Sequence, residues 1–173
     1  MTSSVDPTNE IDAVVARLDA LKVTTGPTTG QGECREGYPQ GYEHPVDGFG
    51  KKLPYREFES GSLIPAAGGR TIAGGEQAQP HVWAFQVHHY APTRTAARLL
   101  ATETDLSLIG WAPSANASPL SMFYFTMYDE FAENGERIGY IATRFYETTL
   151  GQNPDLEIGD GPPGGYGAGG YGE

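Results

Sequence analysis

Hydrophobic positions along the chain change their period several times, and each change marks an element. Between residues 6 and 21, Ile11, Val14, Val15, Leu18 and Leu21 fall on one stripe at helical spacing. Asp6 is placed to cap this helix, and Pro7 suits its first position, where a missing N–H costs nothing. Asp12, Arg17 and Asp19 lie off the stripe and are expected to be solvated. Residues 53–60 read as a strand anchored by Tyr55 and Phe58, continued by Leu63 and Ile64 after Gly61. Pro54 marks an edge or a strand entry. Residues 81–90 form a strong strand, with Trp83, Phe85, Val87 and His89 on one face and Val82, Ala84, Gln86, His88 and Tyr90 on the other. Thr93 caps a second helix that turns Ala97, Leu100, Ala101, Thr104 and Leu108 inward and closes at Gly110. Arg94, Arg98, Glu103 and Asp105 are expected in solvent on its outer side.

The last element is a hairpin over 122–148. Asn134-Gly135 predicts a type I′ turn, which needs positive φ at both central residues. Pairing outward from it sets Phe131 opposite Ile138, Asp129 opposite Tyr140, Met127 opposite Ala142, Phe125 opposite Arg144 and Phe123 opposite Tyr146. The other face pairs Tyr128 with Ile141, Thr126 with Thr143 and Tyr124 with Phe145. A hairpin with one wet face alternates apolar and polar residues; this one is apolar on both. The helices are expected to cover the face of Phe123, Phe125 and Met127. That leaves Tyr124, Tyr128, Ile141 and Phe145 as a candidate subunit interface, because contiguous exposed aromatics mark contact surfaces. The alternative is that the long loops fold back over this face.

Helix, strand, strand, helix, hairpin is the order of an α+β domain, with a mostly antiparallel β-sheet flanked by two helices on one face. One domain is expected over 1–151, with a long loop at 25–50 and a second Gly-rich loop at 65–80. A Gly/Tyr-rich low-complexity tail occupies 152–173 and is expected to be flexible in isolation. The 173 residues carry a formal charge of −11, which argues against binding nucleic acid by phosphate neutralisation. The single Cys34 forms no intramolecular disulfide and fits a reducing compartment. No apolar run reaches the length of a membrane span, and residues 1–6 do not read as a secretory signal, so the Asn116-Ala117-Ser118 sequon is expected to be irrelevant.

A search for chemistry yields little. His88 and His89 are adjacent in a strand and point to opposite faces, so they cannot easily chelate one metal; one is expected packed and the other solvated. Asp129 shares its face with Tyr140 and Arg144, which permits an ion pair. Ser114, Ser118 and Ser121 lack a nucleophile-elbow setting, Cys34 and His44 lack a frame, and the Gly-rich stretches lack a phosphate-loop ending. No catalytic constellation, metal or cofactor is expected, and the chain is not expected to be an enzyme.

A short N-terminal helix, a strand opening with Pro54-Tyr55 and a Gly-rich stretch lead into Trp83-Ala84-Phe85-Gln86-Val87, then a helix and a terminal hairpin. Over 6–151 this layout resembles the tail terminator proteins of long-tailed (siphovirus-type) phages, particularly those of actinobacteria. The resemblance implies a structural virion protein that forms a hexameric ring at the head–tail junction, assembled in the host cytoplasm. The ring caps the tail tube, stops its polymerisation and joins the tail to the head. The implied partners are copies of the chain, the tail tube protein and a head–tail connector or stopper protein. DNA passes through the ring without sequence-specific binding, and no membrane is involved. On this reading Glu33, Glu36, Glu43 and Asp47 are candidates to line the DNA channel, where negative charge repels phosphate; a solvated outer loop is the alternative. The 25–50 loop and the Gly/Tyr tail depart from the family pattern, and Tyr166 and Tyr171 are candidate anchors on adjacent subunits. Three other readings stay open. One is another tail-tube or connector subunit. The second is a small α+β enzyme or ligand-binding domain with a pocket near His88, Tyr90 and Tyr140. The third is a host-interaction module in which the Gly/Tyr tail binds another protein.

Overall fold

A computed structural model describes residues 6–21, 34–37, 42–66 and 80–151. In chain order the elements are α1 (Thr8–Asp19), β1 (Cys34–Glu36), β2 (Tyr55–Pro65), β3 (His81–Ala91), α2 (Arg94–Leu108), β4 (Ser121–Phe131) and β5 (Arg137–Leu150). The five strands form one mixed sheet in the order β1-β2-β3-β5-β4. β1 runs parallel to β2, and the other neighbours are antiparallel. The fold is α+β, as the element order implies.

One sheet face carries the core. Trp83, Phe85 and Val87 of β3 pack with Phe58 of β2, Tyr146 and Leu150 of β5, Val14 and Leu18 of α1, and Leu108 of α2. A second cluster joins Ala97 and Ala101 of α2 to Ala91 and Ala142 of the sheet. Each fully buried large side chain here is worth roughly 1.5–3 kcal/mol of apolar transfer. The inward faces expected of the 81–90 strand and of the second helix are the observed ones.

Thr93 Oγ1 accepts from the Ala96 amide, and Gly110 follows α2 at φ +81. At α1 the boundary moves by one residue. Pro7 holds the N-cap position, and Asp6 binds the Thr8 amide and hydroxyl through one oxygen. That bond holds the Asp6 carboxyl below its usual pKa.

Four expectations need correcting. The 25–50 stretch contains a strand, because Cys34–Glu36 pairs in parallel with Arg56–Phe58. The hairpin turn is not type I′. Only Gly135, at φ +80, has positive φ; the Gly135 amide donates to the Ala132 carbonyl and the Glu136 amide to the Asn134 side chain. That is a three-residue loop, 133–135, closed by the Ala132 amide on the Glu136 carbonyl and ending in a left-handed glycine, and it shifts the register so that Phe131 pairs with Arg137 rather than Ile138.

The third correction concerns Phe123, which does not oppose Tyr146. The β4–β5 register shifts between Met122 and Tyr124, and Met122 takes the place opposite Tyr146. The fourth concerns α2, where Glu103 and Asp105 are not solvated. Glu103 receives an N–H from Arg56 at 3.1 Å, and Asp105 receives Arg144 Nε at 3.0 Å and the Tyr146 hydroxyl at 2.6 Å.

Candidate functional site

Among the described residues no helix lies on the second sheet face. Its residues are set by strand alternation: Tyr55, Glu57 and Glu59 of β2, then Ala84, Gln86, His88 and Tyr90 of β3. Ile141, Thr143, Phe145 and Glu147 follow on β5, and Tyr124, Thr126 and Tyr128 on β4. The four candidate interface residues do come together here. Tyr124 pairs with Phe145 and Tyr128 with Ile141, and the Tyr124 and Phe145 rings lie 5.3 Å apart. Phe123, displaced by the bulge, brings its ring to 6.1 Å from Phe145 and so joins this patch instead of the helix side. Tyr124 is 57% exposed, Phe123 53% and Tyr128 46%.

β4 is the sheet edge, and only Met122 and Met127 on it pack against the clusters that the helices close. Phe125, on the helix side, is 60% exposed, with the Arg144 guanidinium 5.0 Å from its ring. The expectation that α2 covers Phe123 and Phe125 therefore fails, whereas Met127 does pack at the margin of the Ala142 cluster. The hairpin's outer strand is apolar and exposed on both sides.

The loop alternative holds at the opposite end of the face. Residues 42–53 lie over Tyr55 and Tyr90: the His44 ring stacks 3.7 Å from Tyr55, and Tyr55 stacks 4.9 Å from Tyr90. Tyr90 donates its hydroxyl to the Ile138 carbonyl and lies over Gly139, where an added Cβ would come within 2.5 Å of the ring. Lys52 bridges to Glu130 at 3.4 Å. Burial pushes the Tyr90 phenol up to about 12 and raises Tyr55 further. None of these contacts extends to Tyr124 or Phe145.

Between loop and patch runs a polar band. His88 sits 3.2 Å from Glu59 through Nε2 and 2.9 Å from Thr143 Oγ1 through Nδ1, and the Gln86 amide donates to Glu59 at 2.6 Å. The hydrogen bond from His88 lowers the Glu59 pKa. Hydroxyl, imidazole and carboxylate in a row invite comparison with a nucleophile–base pair, but Thr143 is 1% exposed, so its hydroxyl is shut off from solvent. The row ties β2, β3 and β5 together. As expected, the two histidines part: His88 keeps contact with solvent, and His89 is fully buried on the helix side.

The pocket expected near His88, Tyr90 and Tyr140 does not form. Tyr140 pairs with Ala91 on the helix side and meets Arg94 and Arg137, away from the other two. Asp129 pairs with Arg137 at 3.7 Å, since Arg144 is held by Asp105. Cys34 lies in the core, its thiol pushed up to about 12 by burial, while His44 stacks on the other face. Of the acidic candidates, Glu36 and Glu43 are exposed, and Asp47 accepts the Phe49 and Lys51 amides of its own turn. Glu33, Tyr166 and Tyr171 lie outside the described residues. Among the described residues no cluster of His, Cys, Asp and Glu could hold a metal, and no helix is long and apolar enough to cross a membrane.

Sequence reasoning missed the depression at Glu59–Gly61, Ala84–Gln86 and Phe145, of about 190 Å³. Its one signal was Gly61 inside a strand pattern: an added Cβ there would meet the Ala84 carbonyl oxygen, so only glycine permits the close approach. No protein-family model matches the sequence, and no curated protein is similar enough to count as a relative.

Proposed function

We propose that this chain is a structural subunit that completes itself by assembly, and that it works as the tail terminator of a long-tailed phage. In that role copies close into a hexameric ring that caps the tail tube and docks it to the head connector. The single observation that carries this reading is the helix-free sheet face ending in an exposed aromatic edge strand. Tyr124, Tyr128, Ile141 and Phe145 lie together there, with Phe123 beside them. Such a patch is costly on a free monomer and is stabilised when a neighbour removes it from water. The layout of elements over 6–151 and the acidic surface, suited to a channel that must not hold DNA, support the same reading. Glu36 and Glu43, both exposed, are the described residues offered as channel lining.

Electron microscopy of the purified chain tests the assignment. Closed rings of uniform diameter are the expected result. Long tubes would instead make it a tube subunit, and particles that never exceed a monomer with purified tube protein present would refute it.

A further inference from the structure

One described side chain is more exposed than any other large apolar group. Phe49 is 92% exposed, yet its backbone is held. The Asp47 carboxylate accepts the Phe49 amide at 2.8 Å and the Lys51 amide at 2.9 Å; Val46 pairs with Lys52, and the Leu53 amide donates to the Pro45 carbonyl. An aromatic ring on a preorganised turn loses little entropy when it is immobilised by a partner. The same sheet face holds an apolar depression of about 190 Å³, framed by Gly61, Ala84, Phe85 and Phe145. The depression is open to solvent, and its volume is of the order of one aromatic ring.

Charge matches as well as size. Lys51 is exposed two residues from Phe49. Glu59 lines the depression with its side chain 60% exposed, and Glu147 stands across from Ala84 on β5. Phe49 does not fill the depression of its own chain, where its ring is left in solvent. The turn is tied to the end of the sheet by Lys52 and Glu130, beside Tyr90, and the depression begins at Gln86, four residues back along β3, roughly 13 Å away.

We propose that Phe49 of one copy inserts into the Ala84–Phe145 depression of the next, with Lys51 meeting Glu59 and Glu147. This rests on the reading of the open face as an assembly surface, and it names the contact that carries it. Knob and hole occupy different places on the molecule, so the contact is head-to-tail, the kind that generates a ring when its rotation closes and a filament when it does not. Phe145 belongs both to the depression and to the aromatic patch, so the two surfaces are continuous.

Sedimentation velocity over a concentration series tests this with the full chain. Phe49→Ala removes the knob, and Ala84→Leu fills the hole. Each should weaken self-association by at least about tenfold, a usual effect of losing an aromatic anchor, while the circular dichroism of Phe49→Ala stays that of wild type. Lys51→Glu should weaken it too, and adding Glu147→Lys should restore part of the loss. Wild-type association of Phe49→Ala, with Tyr124→Lys/Tyr128→Lys still defective, would overturn the knob and leave the assembly reading standing. A wild-type chain that never associates would overturn both.

Discussion

His89 shows how much one buried side chain organises. It lies against the Ala142 carbonyl at 2.8 Å through Nδ1, which must therefore donate, and against Thr104 Oγ1 at 2.8 Å through Nε2. Arg56 Nε donates to the same hydroxyl, and its other nitrogens reach the Leu21 carbonyl and Glu103. Core strand, edge of α2 and end of α1 are thus fastened through one polar knot. Burial, reinforced by the charge of Arg56 and opposed by the Ala142 bond, lowers the His89 pKa from 6.5 to about 3. An unfolded histidine takes up its proton below about pH 6.5, whereas the folded one resists until far lower. Stabilisation by the neutral form is therefore complete above that pH and falls as the pH drops toward about 3. One such site loses roughly 1.4 kcal/mol per pH unit in that window, or about 2 kcal/mol by pH 5. Urea unfolding at pH 7 and pH 5 should show this loss in wild type and a smaller one in His89→Gln. Arg56→Met, which removes the guanidinium from Glu103, Thr104 and the Leu21 carbonyl, should cost about 2 kcal/mol at neutral pH in the same assay.

At the scale of elements, what was legible followed from periodicity. The 81–90 strand and the second helix each bury the face their spacing dictates, because Trp83, Phe85 and Val87 leave only one way to close a core with Leu100 and Leu108. The four interface candidates share a face because Tyr124, Tyr128, Ile141 and Phe145 keep the two-residue alternation through the regular part of the hairpin. Position within the sheet was not legible. Nothing local told that β4 would be the edge, so the reach of α2 was overestimated. The three-residue β1 is too short to carry a pattern, and its pairing is fixed by β2. Charged residues on α2 were misplaced for the same reason: Glu103 and Asp105 find their partners on β2 and β5, far away in sequence.

The turn is a local case. Gly135 alone carries the positive φ, so Gly135→Ala should destabilise by about 1 kcal/mol, whereas Asn134→Ala should cost less in the same thermal melts. As an unpaired edge, β4 should also exchange many of its amide hydrogens quickly in dilute protein while β3 exchanges slowly. Concentrating the protein should protect β4, as mass-detected hydrogen exchange can record.

For the molecule as a whole, the account turns on where apolar surface goes. One sheet face is closed by α1 and α2; the other is closed by residues 42–53 over Tyr55 and Tyr90, as far as Glu130 of β4, and is left open around Tyr124 and Phe145. A fold arranged in this way is stable as a unit and unfinished as a surface. Light scattering of the purified chain beside its Tyr124→Lys/Tyr128→Lys variant addresses this most directly. The wild-type chain should scatter as a closed multimer, and the variant as a monomer whose circular dichroism matches wild type and which still unfolds cooperatively, at a melting temperature lowered only by the lost assembly. A variant that assembles normally, or one that unfolds because those tyrosines were holding the monomer together, would contradict the claim that this face exists to meet another subunit.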